Sequence, residues 1–129
     1  MNNDILWLKA KDAVNNRRYK KAKRLYLAII KNNGANEVIW NNLGYVYMKL
    51  GDYNNAEKCY KKAIEMNPEY EVPWFNLGKL YHRMGLHEKE MRCYEEVIRI
   101  NPSNISAWNN KGIVLRNMNR FKEAIQCYN

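Results

Sequence analysis

Trp40-Asn41-Asn42-Leu43-Gly44-Tyr45-Val46-Tyr47 decides how this chain is read, because its landmarks return twice more at one spacing. Trp40, Trp74 and Trp108 are separated by 34 residues (74 − 40 = 108 − 74 = 34). Each is followed four residues on by glycine (Gly44, Gly78, Gly112), nineteen on by cysteine (Cys59, Cys93, Cys127) and twenty on by tyrosine (Tyr60, Tyr94, Tyr128). Pro68 and Pro102 keep the same register. A fixed period of a few tens of residues marks a stack of identical supersecondary units.

Within a unit, Trp40, Leu43, Gly44 and Tyr47 fall at i, i+3, i+4 and i+7, one face of a helix. Ala56, Tyr60, Ala63 and Ile64 mark a second helix in the same way. Each unit is therefore predicted to be a helical hairpin. Gly51 and Gly85 stand just past the first helix, where a left-handed residue closes it, with Asn119 in the matching place. Pro68 and Pro102 end the second helix.

The Trp40–Tyr47 stretch, with Ala56, Tyr60, Ala63 and Pro68, resembles the tetratricopeptide repeat. The resemblance implies an all-α fold, a right-handed superhelical array of antiparallel helix hairpins, forming one domain over residues 1–129. Repeats 37–70 and 71–104 match almost throughout. Residues 3–36 form a divergent repeat, matching through Ala22, Tyr26 and Ile29 but with Leu6 and Ala10 in place of Trp and Gly. Residues 105–129 read as a truncated repeat, and an unfinished last helix leaves apolar surface suited to self-association. Two residues break the pattern. Glu90 stands where the other repeats have Ala56 and Ala124, and Lys111 where they have Leu43 and Leu77. Each marks a strained spot, a snorkelling side chain or a contact with a partner.

Composition bounds the rest. At 129 residues, 47% hydrophobic and 27% charged, the chain has the makeup of one globular domain. The opening MNNDILWLKAKD lacks the apolar run of a signal peptide, and no apolar stretch approaches a membrane span, so a cytoplasmic location is expected. Three cysteines at repeat spacing suit neither a disulfide framework nor a zinc site and read as reduced, buried thiols.

Opposite the Trp stripe, the first helix of each repeat carries a second stripe: Val38, Asn41, Asn42, Tyr45 and Lys49, then Val72, Phe75, Asn76, Lys79 and Arg83, then Asn109, Asn110, Ile113 and Arg116. In the family this stripe lines a concave groove. Asn42, Asn76 and Asn110 form a row of one amide per repeat, each offering a donor and an acceptor to an extended peptide backbone. The row is similar to the asparagine ladder in the repeat arrays of O-linked N-acetylglucosamine transferases. Lys49, Lys79, Arg83 and Arg116 bring cations to the stripe with no acidic residue among them, which favours an acidic peptide or a free carboxylate. The clamp by which one family branch holds chaperone tails fits poorly: Asn76 matches one place, but Tyr45, Phe75 and Ile113 stand where Lys or Asn belongs. Ordinary solvated asparagines are the competing reading.

The net charge of +9 is concentrated at one end. Residues 3–36 carry nine basic and two acidic side chains, and Arg17, Arg18, Lys20, Lys21, Lys23 and Arg24 form a run across the turn and the next helix. A solvated helix face, an acidic protein surface, a nucleic acid or an anionic membrane would each suit it. Tyr19 matches Tyr53 and Phe121 in other repeats and reads as packing, not as a stacking platform.

No phosphate loop, dinucleotide motif or metalloprotease helix is present. His82 and His87 would diverge by about 140° on a single helix and read as surface or packing residues. No catalytic residue, metal or cofactor is expected. The sequence points to a non-catalytic scaffold that binds an extended acidic peptide; the alternatives are the recruiting arm of a longer enzyme and nucleic-acid binding through the basic run.

Overall fold

The computed structural model describes residues 2–128. They form eight helices: α1 (Asn3–Asn15), α2 (Tyr19–Lys31), α3 (Glu37–Lys49), α4 (Tyr53–Met66), α5 (Glu71–Met84), α6 (His87–Ile100), α7 (Ile105–Asn117) and α8 (Phe121–Tyr128). Consecutive helices pair as hairpins, α1 with α2, α3 with α4, α5 with α6 and α7 with α8. The chain divides into two compact units, the first ending at Pro68 and the second beginning at Glu69.

The turn inside every hairpin is built alike. Gly51 and Gly85 have φ of 79° and 72°, and Asn119 has 62°. The next backbone N–H reaches back across the turn: Asp52 to Tyr47 O at 2.9 Å, Leu86 to Tyr81 O at 3.0 Å, Arg120 to Leu115 O at 2.7 Å. This is the left-handed helix stop expected from the glycines. The divergent repeat keeps the geometry without the glycine, since Arg17 has φ of 58° and Arg18 N–H donates to Ala13 O at 2.8 Å. A side chain with a Cβ is disfavoured there by about 1–2 kcal/mol.

Asparagine placement starts the helices. Asn2, Asn36 and Asn104 lie one period or two apart and cap α1, α3 and α7, their side chains accepting from the N–H groups of Ile5, Ile39 and Ala107. At the corresponding place before α5 stands Tyr70, which makes no side-chain cap. Glu71 beside it instead accepts from Asn101 and Asn104 Nδ2 at 3.3 and 3.2 Å, tying the start of α5 to the loop before α7.

The hairpins close on the repeat glycines for a reason other than backbone freedom. A Cβ on Gly44 would lie 2.8 Å from the Tyr60 ring, and one on Gly78 2.6 Å from the Tyr94 ring. The tyrosine therefore lies flat against the glycine of its own hairpin. In the first unit Leu6, Ala10, Ala22, Tyr26, Ile29, Ile39, Leu43 and Val46 form the core, each large side chain contributing about 1.5–3 kcal/mol by leaving water. In the second, Met91, Tyr94, Val114, Leu115 and Ala124 form one cluster against which Phe75 packs. Cys59 and Cys93 are buried thiols, and burial pushes the Cys59 thiol up to about 12. Cys127 is only half-buried, contrary to the expectation of three buried thiols.

Candidate functional site

Along α5 the residues Asn76, Lys79 and Arg83 recur on one helix face, and His82 lies beside them. Lys79, His82 and Arg83 line a cavity of about 300 Å³, closed by Glu90 and Tyr94 of α6 and by Asn110 and Ile113 of α7. Two expected cations, one ladder asparagine and one apolar wall thus meet in one place. Lys79 Nζ stands 5.6 Å from the centre of the Phe75 ring, which packs on Tyr94 at 5.7 Å between centroids. Tyr94 shares hydrogen bonds with Glu90 and Asn110. Burial, and after it the Glu90 carboxylate, raises its phenol above the usual tyrosine range, while Asn110 acts in the opposite sense.

Glu90 is the first of the two residues that break the repeat pattern. It is 2% exposed, inside the α5–α6 hairpin. His82 Nδ1 lies 3.2 Å from its Oε2 and His87 Nδ1 3.4 Å from its Oε1. An ionised carboxylate only accepts, so a hydrogen bond at either contact requires the proton on that Nδ1. The two histidines were expected to diverge as if on one helix; the turn at Gly85 puts them on different helices, and they converge instead. The residue spacing held the signal, since a misplaced carboxylate lies three residues from one histidine and eight from the other. Among the described residues no group of three or more His, Cys, Asp or Glu is placed to hold a metal ion.

Lys111, the other misfit, is half-buried and snorkels. Its Nζ reaches 4.0 Å from Glu95 Oε2 and 5.9 Å from the centre of the Trp108 ring. Arg116 is exposed on α7 and does not line the cavity.

The first unit offers a smaller counterpart, a depression lined by Lys11, Val14, Asn15, Tyr26, Asn42 and Tyr45. Asn42 shares a hydrogen bond with Tyr26, whose phenol burial pushes up and the amide pulls down. Lys49 Nζ lies 5.4 Å from the centre of the Tyr45 ring. Asn41 departs from its expected place on the open stripe: it is 4% exposed, and its Nδ2 donates to Asn42 Oδ1 at 3.4 Å. Asn42 and Asn110 are accordingly half-committed, each tied to a buried tyrosine of the helix before it.

In the basic run, Arg17, Arg18, Lys20, Lys21 and Arg24 are exposed and Lys23 is half-buried. Among the described residues none of the six makes an ion pair. Lys20, Lys23 and Arg24 border a depression of about 380 Å³ floored by Tyr47 and Leu50, with Asp52 at its edge.

Family models for the tetratricopeptide repeat match residues 38–70, 73–104 and 93–126. The chain belongs to the tetratricopeptide repeat family. Solved structures of the same fold include MamA, with a TM-score of 0.93 and 22% identity over 98% of this chain and 74% of MamA. The first tetratricopeptide domain of Spaghetti (RPAP3), bound to the HSP90 peptide SRMEEVD, has a TM-score of 0.85 and 20% identity over 91% of this chain and 93% of that one. YrrB, a tetratricopeptide protein with an unusual peptide-binding site, has a TM-score of 0.82 and 20% identity over 95% of this chain and 63% of its own. No curated protein sequence matches. Among the described residues no tetratricopeptide helix is long and apolar enough to cross a membrane.

Proposed function

We propose that this chain is a non-catalytic scaffold that binds an extended, acidic segment of another protein, with the α5–α7 cavity as the principal contact. The observation that carries the reading is the meeting of Lys79, Arg83 and Asn110 in one cavity beside Ile113. Two cations supply attraction for carboxylates, the amide supplies a donor and an acceptor for a peptide bond, and the isoleucine gives an apolar side chain a place to rest. Asn76, one turn before Lys79, continues the polar face along α5, and Asn42 with Tyr45 and Lys49 offers the same chemistry in the first unit. Tetratricopeptide relatives that hold peptides, one of them the acidic SRMEEVD, support the assignment by analogy.

The test is fluorescence anisotropy of a labelled peptide made of Asp, Glu and Gly. Reversing both charges in Lys79→Glu/Arg83→Glu is expected to weaken binding by at least about 100-fold, or about 2.7 kcal/mol. Retained affinity in that variant refutes the cavity as the site. The unpaired cations of α2 support a second reading, attachment of a nucleic acid or another polyanion. The same assay with single-stranded RNA separates the two: RNA binding that vanishes in Lys20→Glu/Arg24→Glu but survives Lys79→Glu/Arg83→Glu would move the functional surface to α2.

A further inference from the structure

The cationic cavity has an anion in its floor. Glu90 is an acidic residue at the repeat position held by Ala22, Ala56 and Ala124, and burying a carboxylate there opposes both folding and the capture of another anion. Its compensation is unusual: the side chains on it are two imidazoles and a phenol, not a permanently charged lysine or arginine. Lys79 and Arg83 line the same cavity but pair with no carboxylate among the described residues.

We infer that the His82–Glu90–His87 cluster makes acidic-peptide binding in this cavity proton-dependent, so that the site tightens on its ligand as the surroundings acidify. The inference rests on the peptide-binding reading above and adds its regulation. With both imidazoles neutral, the charges at the cavity are Lys79 and Arg83 against Glu90, two positive and one negative, a net of +1. Protonating His82, which lines the cavity, raises that net to +2, and protonating His87 sets one more positive charge against Glu90. Imidazole is the side chain that makes this change between about pH 5 and 8, where the carboxylates of the ligand stay ionised.

The geometry gives the two histidines different parts. His82 lines the cavity with its side chain 54% exposed. Its Nδ1 is engaged by Glu90, so its Nε2 meets the ligand, accepting a hydrogen bond when neutral and donating one to a carboxylate when protonated. His87, 38% exposed, touches Glu90 from α6 and, when protonated, offsets the charge of its carboxylate. The charged and titratable groups that line the cavity with His82 are Lys79 and Arg83 from α5 and Glu90 and Tyr94 from α6; α7 presents Asn110 and Ile113, which do not titrate, and His87 meets Glu90. The sign follows. An anionic ligand favours the protonated imidazoles, protons are taken up on binding, and affinity rises as pH falls.

The experiment uses the full chain and a rhodamine-labelled peptide of Asp, Glu and Gly, with anisotropy titrations at about pH 7.5 and about pH 6 and circular dichroism at both. The wild type is expected to bind about five- to tenfold more tightly at the lower pH. His82→Gln/His87→Gln is expected to flatten that dependence, and Glu90→Gln, which keeps the shape and removes the charge, to raise affinity at about pH 7.5 while shrinking the gain on acidification. A double-histidine variant with the wild-type pH profile, or one that no longer binds at either pH, overturns the inference. So does an unchanged affinity of Glu90→Gln at the higher pH. Failure of the wild type to bind the peptide at any pH overturns the peptide-binding reading itself, a different result from binding that ignores pH.

Discussion

The α3–α4 and α5–α6 hairpins share a turn, a glycine-on-tyrosine contact and a register, yet they fill the same internal position in opposite ways. In the first, Ala56 is wholly buried, with Met48 and Tyr53 at the places where the second hairpin has His82 and His87. In the second, Glu90 is buried to nearly the same degree and is met by both histidines. The repeat therefore tolerates a carboxylate inside the hairpin when its surroundings change with it. A residue that opposes burial but arrives together with its partners is a sign of a use beyond packing, because stability alone is better served by alanine.

That contrast can be broken from either side. Ala56→Glu places the carboxylate among Met48 and Tyr53 with no imidazole to meet it, and urea unfolding should show a loss of about 3–5 kcal/mol. Gly78→Ala tests the element the hairpins share: a Cβ 2.6 Å from the buried Tyr94 ring forces it aside, for an expected loss of about 1–3 kcal/mol. Glu90→Ala, the reverse of the first change, should alter stability by no more than about 1 kcal/mol in either direction, since the lost contacts are offset by the lost desolvation of the charge. A loss there as large as that from Ala56→Glu would make Glu90 a structural residue and remove the asymmetry. The smallest effect concerns the divergent turn. Arg17→Gly relieves a left-handed arginine at φ 58° and should raise the thermal midpoint by an amount equivalent to up to about 1 kcal/mol.

The period of 34 made the hairpins legible, because side chains at i, i+3, i+4 and i+7 can share a helix face in only one way. Gly51, Gly85 and Asn119 marked their turns for the same local reason. Arg17 carries no such mark, since the divergent repeat replaces the glycine, and it is the left-handed φ with the hydrogen bond from Arg18 that shows the backbone to be the same. In the candidate site, the groove cations Lys79 and Arg83 and the amide of Asn110 could be placed by register. The link of Asn42 to Tyr26 and of Asn110 to Tyr94 could not, as it depends on how one helix packs on the next. Glu90 is visible in the sequence as a misfit, but His82 and His87 diverge only if a single helix carries both, and the intervening turn sets them on two. Sequence periodicity reports which face a residue shares within a helix; it is silent on what two helices bring together.

The measurement that bears most directly on the account is a nitrogen-15 NMR titration of the full chain with the Asp, Glu and Gly peptide. Binding as proposed shifts the resonances of Asn76, Lys79, His82, Arg83, Asn110 and Ile113 in a saturable way and leaves those of Lys20, Lys21 and Arg24 nearly unmoved. Saturable shifts confined to α2, with the α5–α7 cavity silent, would contradict it.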